Sequence, residues 1–396
     1  MKLFPNTVNG VVRALEEIFD QHHFADKVIE RILKSNPKWG ARDRAFIAES
    51  VYEIVRWKRL VEYLSPGADY YQWFGTYWVL QGNALPDWRE FKGINPQAIH
   101  RKKEKITQRT LLQSIPDWMD QMGQEQLGEK WEQEINSLNQ VAEVVLRVNT
   151  LKTSRSRLRE QLEELGITSY PVNGYPDALV LKERKNVFRT PLFKEGHFEV
   201  QDASSQLVAM ALEAQPGMRV IDACAGAGGK SLHLAALMEN KGRIVSMDLE
   251  AWKLKNTKLR ARRAGVSIIE TKPIEGSKTI KRLHESADRL LLDVPCSGLG
   301  VLKRNPDTKW KLSPESISAV QVIQKGILSQ YPSMLKPGGI LVYATCSILP
   351  SENNLQVQAF LQSPEGKSFE LLEETQVLSQ ESGFDGFYIA KLKKGE

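Results

Sequence analysis

Three short apolar runs, at 218–221, 290–292 and 340–343, each end in a motif of small or reactive residues. The first opens into Asp222-Ala-Cys224-Ala225-Gly226-Ala227-Gly228-Gly229-Lys230, the second into Asp293-Val-Pro295-Cys296-Ser-Gly298, and the third into Ala-Thr345-Cys346-Ser347. Runs of this type suit strands buried on both faces. From residue 200 onward strand-like and helix-like stretches alternate, at 219–221, 230–237, 243–247, 254–264, 268–270, 290–292, 315–334, 339–343 and 354–361. That alternation predicts an α/β fold with a parallel sheet and crossover helices. In an open, doubly wound sheet, ligands bind outside the carboxyl ends of the strands. If the three runs are strands one, four and five of such a sheet, with neighbours about 4.8 Å apart, a nucleotide-shaped ligand and two thiols share one crevice. A last apolar stretch, 386–392, is expected to close the sheet as an antiparallel edge.

A chain of 396 residues exceeds one core. Three domains are expected: a helical part over 1–142, a small α/β module over 143–199, and the alternating part over 200–396. The helical part shows one-face apolar spacing at 9–19, 28–33 and 44–64, with Asp43 near the positive end of the last of these helices. It also holds seven of the nine tryptophans, which read first as packing anchors and second as base-stacking platforms. The polar segment 88–109, with Arg101-Lys-Lys-Glu-Lys, reads as a solvated loop, with phosphate contact as the alternative. In the middle module 144–149 and 178–181 are strand-like and 154–165 is an amphipathic helix.

Hydrophobic content of 41% and charge of 26% are ordinary globular values. A net charge of +6 is compatible with a polyanionic partner without requiring one. No apolar run approaches the roughly 18 residues of a membrane span, and Pro5 and Gly10 interrupt any signal-peptide core. Three scattered cysteines make no disulfide framework, and no CxxC or HxxxH spacing marks a zinc site. The expectation is a cytoplasmic protein with reactive thiols, no metal and no membrane partner.

Gly226, Gly228 and Gly229 permit a tight turn and close approach of a ligand to the backbone, at the N-terminus of a helix whose dipole faces it. The spacing is neither that of the dinucleotide fingerprint nor that of a P-loop. Asp248 ends the next strand, where an acid grips ribose hydroxyls. These features indicate a nucleoside-type cofactor and leave a dinucleotide and S-adenosylmethionine both open. A single buried cysteine is ordinarily a small inert hydrophobe, but Cys296 and Cys346 at adjacent strand ends point to chemistry. A thiolate is a good nucleophile. Adding one to C6 of cytosine makes C5 able to attack a sulfonium methyl. A carboxyl group such as Asp293 beside N3 would balance the charge pushed into the ring, and a base must then remove the C5 proton. That chemistry leaves the roles of the two cysteines exchangeable. Cys224 is expected to meet the cofactor through its backbone.

The run Val200-Gln-Asp202-Ala-Ser-Ser205-Gln, DACAGAGGK, LLDVPCSGLGVLKRNPDTKW, and LVYATCSILPSENN followed by GFDGFYIAKL resemble the RNA (cytosine-5)-methyltransferase family over about 144–396. The resemblance implies a Rossmann-like S-adenosylmethionine methyltransferase domain with a mostly parallel sheet, preceded by an RRM-like module. It assigns Cys346 as nucleophile and Cys296 to product release, with Asp293 as the catalytic carboxyl group. It implies cofactor contacts at Cys224, Ala225, Gly226, Ala227, Gly228, Gly229, Lys230, Asp248 and Asp293, and Glu275 in place of a further Asp. The turn departs from the family pattern in having Gly226-Ala227 where Ala-Pro is usual. Ala41-Arg-Asp-Arg-Ala-Phe resembles the NusB-like RNA-binding domain of the 16S rRNA branch. Lys253, Lys255, Lys258, Arg260, Arg262 and Arg263 line one helix, read as a solvated face with RNA contact as the alternative. A monomer acting on ribosomal RNA is expected. Transfer RNA as substrate, a non-catalytic RNA-binding assembly factor, and a nicotinamide dehydrogenase are the competing readings.

Overall fold

One-face apolar spacing in the first part of the chain is realised as helices Pro5–Phe19, Ala25–Ser35, Ala41–Arg56, Lys58–Leu64 and Tyr70–Leu80, in a computed structural model that describes residues 2–396. Val11, Leu15, Ile47, Val51, Ile54 and Phe74 lie at the centre of their shared core. Pro5 starts its helix where a missing N–H costs nothing. The single helix expected over 44–64 is two. The chain turns at Trp57 (φ −104°, ψ 23°), and the Ser114 hydroxyl accepts from the amides of Arg59 (2.9 Å) and Leu60 (3.4 Å), so the second helix starts with its free donors satisfied. Trp39, Trp73, Trp78 and Trp131 are buried, as packing anchors would be.

The polar stretch expected as a loop contains a helix, Pro96–Glu104, capped by the Asn95 side chain on the Ala98 amide (3.0 Å) and anchored by buried Ile99. The Asn-Pro start was its signal, outweighed by polarity.

Residues up to Gln140 form one compact unit together with Leu302–Pro314; Val141–Val301 and Glu315–Glu396 form the other. The Leu302–Pro314 segment therefore belongs with the helices, although in sequence it interrupts the alternating part. Lys309, fully buried, donates to the carbonyls of Arg56 (2.7 Å) and Ser114 (3.0 Å) and to Asn139 Oδ1 (2.8 Å). Burial, with Arg56 nearby, pushes its ammonium well below the usual lysine value. Trp310 donates to the Val55 carbonyl (2.7 Å), and Asp307 accepts from the Ala25 amide (2.9 Å) at the start of a helix.

The second unit holds two sheets. The smaller is antiparallel, with β1 (Val145–Val148), β2 (Ser169–Val172), β3 (Tyr175–Leu181) and β4 (Phe198–Val200) in the order β2-β3-β1-β4. The larger comprises β5 (Arg219–Asp222), β6 (Arg243–Asp248), β7 (Ile269–Pro273), β8 (Ala287–Asp293), β9 (Leu335–Thr345), β10 (Phe369–Val377) and β11 (Phe387–Lys394). Their order is β10-β11-β9-β8-β5-β6-β7, with β5 to β9 parallel and β10 and β11 antiparallel. Successive residues of each parallel strand feed opposite faces. Ile221, Leu290, Leu292 and Tyr343 enter one core with helices Pro314–Gln330 and Asn354–Gln362. Val220, Leu291 and Val342 enter the other with helices Ala203–Ala211 and Gly229–Leu237. Both faces are covered, which is why the strands read as unbroken apolar runs.

The stretch expected as the edge strand, β11, instead lies between β9 and β10. The true edge, β10, is exposed along most of its length and carries Glu370, Glu373 and Glu374, which interrupt the short apolar signal of Phe369 and Leu371. Strand order reverses between β5 and β8, the switch point where such sheets bind ligands.

Helices Gly229–Leu237 and Ala251–Ala264 are tied to the small sheet through buried polar and charged groups. His233 Nε2 donates to Asp177 Oδ2 (2.9 Å), and burial pulls the imidazole down to about 4. Glu199 on β4, almost fully buried, pairs with Arg260 (3.0 Å) and with Arg263. Buried Arg147 on β1 feels the same carboxylate. Replacing Glu199 with Ala leaves three guanidinium groups without their shared counter-charge. We expect the unfolding free energy of this unit to fall by about 3 kcal/mol, read from urea denaturation. An unchanged midpoint would contradict this role.

Candidate active site

β5 ends at Asp222, and the chain then makes the glycine turn before helix Gly229–Leu237 begins. Gly226 (φ +54°) and Gly228 (φ +81°) take the left-handed conformation. A Cβ on Gly228 would sit 2.5 Å from Thr257 Cγ2, so this position has no room for a side chain. A Cβ on Gly226 would meet nothing within 4 Å, and it is Gly226 that borders the cavity at the strand ends. The backbone of the turn is held from outside. Thr257 Oγ1 donates to Gly226 O (3.2 Å), Arg260 Nη1 to Ala227 O (2.8 Å) and Arg147 Nη1 to Gly229 O (2.5 Å). Asp248 Oδ2 accepts from the Gly226 amide (2.9 Å) and its Oδ1 from the Glu250 amide (2.8 Å).

Reading the sequence missed Thr257, Arg260 and Arg147. Arg260 stood within a basic run that reads as a solvated face, and only tertiary structure turns it inward. Lys255, Lys258 and Arg262 of the same run are exposed.

The cavity measures about 520 Å³ and is bordered by Cys224, Gly226, Asp248 and Asp293, together with Leu249 and Tyr331. This lies within the range of small-molecule sites. Apolar walls beside Asp248 and Glu250, with open space over Gly226, fit a ligand that carries a ring, hydroxyl groups and positive charge. Ala225, Ala227, Gly228, Gly229 and Lys230 shape the turn without bordering this cavity. Glu275, expected as a cofactor contact, is exposed and does not border it, whereas its neighbours Ile274 and Gly276 do. The extended chain leaving β7 aims alternate positions away from the ligand, and Glu275 falls on the outer set.

Parallel pairing sets the second half of the site. Asp222 aligns with Leu291, and Asp293 with Ala344. The amides of Ala223 and Val294 donate to Leu291 O and Ala344 O (3.0 Å each), so the three motifs open within two residues of one another across the strands. Cys296 Sγ and Cys346 Sγ then lie 3.3 Å apart as free thiols. Lys230 Nζ donates to Asp293 Oδ2 (2.6 Å). Burial acts to lower the Lys230 ammonium, but the charge and hydrogen bond of Asp293, with Cys346 adding to them, hold it above its ordinary value. The Cys296 thiol is pushed well above the usual range by its hydrogen bond to Cys346, then by burial and by the charges of Cys346 and Glu352. Burial, reinforced by Asp222, Asp293 and Asp248, raises Cys224 and keeps it a neutral wall. Asp222 is itself pushed up to about 7 by burial, although the Ser231 hydroxyl donates to it (2.6 Å).

Backbone contacts fix the Cys346 loop. The Gly300 amide donates to Cys346 O (2.9 Å) and the Gly386 amide to Gly300 O (2.8 Å). A Cβ on Gly300 would lie 2.1 Å from Gly386 O, so the two glycines permit this approach.

A methyl placed on Gly226 points into the cavity at a conformational cost of about 1–2 kcal/mol. Gly226→Ala should still fold but bind S-adenosylhomocysteine about tenfold or more weakly by calorimetry. Unaltered affinity would mean the ligand sits elsewhere.

Comparison with known proteins bears on this site directly. The family model described as 16S rRNA methyltransferase RsmB/F matches residues 209–393, and a ferredoxin-like domain of RsmF/B-like methyltransferases matches residues 115–188. The probable ribosomal RNA small subunit methyltransferase B of Synechocystis is 33% identical, over 96% of this chain and 97% of that protein. The ribosomal RNA small subunit methyltransferase B of Pasteurella multocida is 38% identical, over 70% of this chain and 65% of that protein. Among solved structures, PH0851 superposes with a TM-score of 0.84 over 100% of both chains at 23% identity, a likeness of fold. A methyltransferase homolog protein from Pyrococcus horikoshii gives a TM-score of 0.64 over 72% of this chain and 97% of that one, at 28% identity. Identity along nearly the whole length of a relative decides what likeness of fold alone could not: the chain belongs to the RsmB/F family of 16S rRNA methyltransferases and takes S-adenosylmethionine as its cofactor.

Proposed function

We propose that this protein methylates C5 of a cytosine in 16S ribosomal RNA through a transient bond between Cys346 and C6 of the base. The observation that carries the reading is the pair of thiols 3.3 Å apart beside the Lys230–Asp293 pair. A single nucleophile would serve addition. A second thiol in contact with it supplies what release needs.

Charge divides the roles. The Cys296 thiol is pushed well above its usual range by its hydrogen bond to Cys346, by burial and by the charges of Cys346 and Glu352, so it is the sulfur that keeps its proton. Cys346 is therefore the sulfur free to attack. This assignment agrees with the one that the family resemblance implies.

Attack of the Cys346 thiolate forms a C6–S bond and moves the C5=C6 electrons toward C5 and the ring. Lys230 Nζ lies 2.6 Å from Asp293 Oδ2, so a proton relayed from the ammonium through the carboxyl group to N3 balances the charge developing there and returns when C5=C6 re-forms. Bound S-adenosylmethionine supplies the methyl group as a sulfonium electrophile. Once Cys346 is a thioether it no longer holds a negative charge against Cys296, and the strongest influence keeping that thiol protonated is gone. Cys296 gives its proton to solvent and, as a thiolate, takes the C5 proton. The C5–H electrons restore C5=C6, the C6–S bond breaks, and Cys346 leaves as a thiolate.

The target base must leave its stack, at a cost of a few kcal/mol. Contacts of the helical unit and the small sheet with RNA phosphate and shape would offset that cost. Both would act as RNA-binding parts, the first NusB-like and the second RRM-like.

Labelled methyl from S-adenosylmethionine should enter 16S rRNA, and bisulfite sequencing should place it at a cytosine. Cys346→Ala should abolish incorporation. Cys296→Ala should leave an RNA–protein adduct stable to denaturing electrophoresis. The opposite pattern would exchange the two roles, and label entering only transfer RNA would move the substrate.

A further inference from the structure

We propose that Glu352 is a positioning residue: it locks the loops of Cys296 and Cys346 at one spacing and sets which thiol keeps the shared proton. Glu352 ends the short 3-10 turn Pro350–Glu352 and is fully buried. Ser297, next to Cys296, donates its amide to Glu352 Oε1 (2.8 Å) and its hydroxyl to Oε2. Ser347, next to Cys346, donates its hydroxyl to the same Oε2. Gln324 Nε2 completes the set at Oε1 (3.2 Å) and also holds Pro295 O (2.9 Å). One carboxylate thus ties together the residues that follow both cysteines. Asn353, the next residue, repeats the tie on one side: it accepts from Thr345 Oγ1 (2.6 Å) and donates to Ser347 O (3.0 Å).

These donors to the carboxylate are an amide N–H, two hydroxyls and a side-chain amide, none of them cationic. A buried carboxylate balanced only by neutral donors is costly. A glutamine could join the same loops, since the serine hydroxyls rotate to suit an amide oxygen. What a glutamine lacks is charge, and the charge faces Cys296. The titratable groups facing Cys296 are Cys346, Glu352 and Tyr343. Tyr343 is buried and raised, hence neutral, which leaves Glu352 as the standing anion on that side. Its field opposes ionisation of Cys296 throughout, adding to the effect of Cys346 until Cys346 has reacted. After that step the same field makes Cys296 a stronger base toward the C5 proton.

The proposal rests on the division of roles given above, but its deciding test needs neither RNA nor cofactor. Iodoacetamide alkylation of each cysteine in the intact protein, followed by peptide mass spectrometry across pH, gives a midpoint for each thiol. In the wild type Cys296 should react at higher pH than Cys346. Glu352→Gln should lower the Cys296 midpoint by about one pH unit, whereas Glu352→Asp, which keeps the charge, should restore it. In single-turnover methylation Glu352→Gln should hold the RNA adduct longer than the wild type does. Should Glu352→Gln not fold, Ser347→Ala removes one donor from the carboxylate, leaves its charge less balanced, and should raise the Cys296 midpoint. A Cys296 midpoint indifferent to these substitutions overturns the proposal, even if methylation is lost. A midpoint that shifts as stated, in a protein whose wild type makes no 5-methylcytosine, overturns the functional reading and leaves this one standing.

Discussion

Parallel pairing of β5, β8 and β9 is the constraint on which the site depends. The glycine turn, Asp293, Cys296 and Cys346 come from stretches far apart in the chain, and they meet only because those three strands end together in register. A slip of one residue between β8 and β9 would send each side chain to the opposite face. If β9 shifted, Tyr343 would leave one core and Val342 the other, and the two sulfurs would part. The buried apolar runs that fix the register therefore also fix the distance between the thiols. Core packing and reaction geometry are one specification here.

Charge then differentiates two chemically identical groups. Lys230 is held on Asp293 at 2.6 Å and acts from the side of Cys346, while Glu352 acts from the side of Cys296. In a site dry enough to push Asp222 up to about 7, such fixed charges count for far more than they would in water. A contact between two thiols would otherwise be symmetric. On the proposed reading, the surrounding charges make one the nucleophile and the other the keeper of the proton.

The strands, the crossover helices and the three motifs were legible because each rests on a local signal: an unbroken apolar run, a cluster of glycines, a cysteine after Pro or Thr. Asp248 was legible from its place at a strand end, and it does border the cavity beside the turn. The props of the turn were not. Arg147, Thr257 and Arg260 reach it from other elements, and nothing in their own neighbourhoods distinguishes them from surface residues. Glu275 lies outside the cavity lining because a one-residue difference along an extended chain decides between inside and outside. The docking of Leu302–Pro314 among the helices depends on Lys309 finding three oxygen acceptors from distant segments, a match invisible to periodicity. β10 is hard to read because its apolar pattern, Phe369 and Leu371, is short and broken by glutamates on an exposed edge.

The most direct measurement replaces the target cytosine with 5-fluorocytosine in an RNA substrate, so that after methyl transfer the halogen blocks loss of a proton from C5 and the covalent intermediate persists. Digestion and mass spectrometry of the trapped complex then identify the sulfur that holds the base. The account predicts a methylated nucleotide on the peptide that contains Cys346. A nucleotide on Cys296, or no adduct under conditions that methylate the normal RNA, would contradict it.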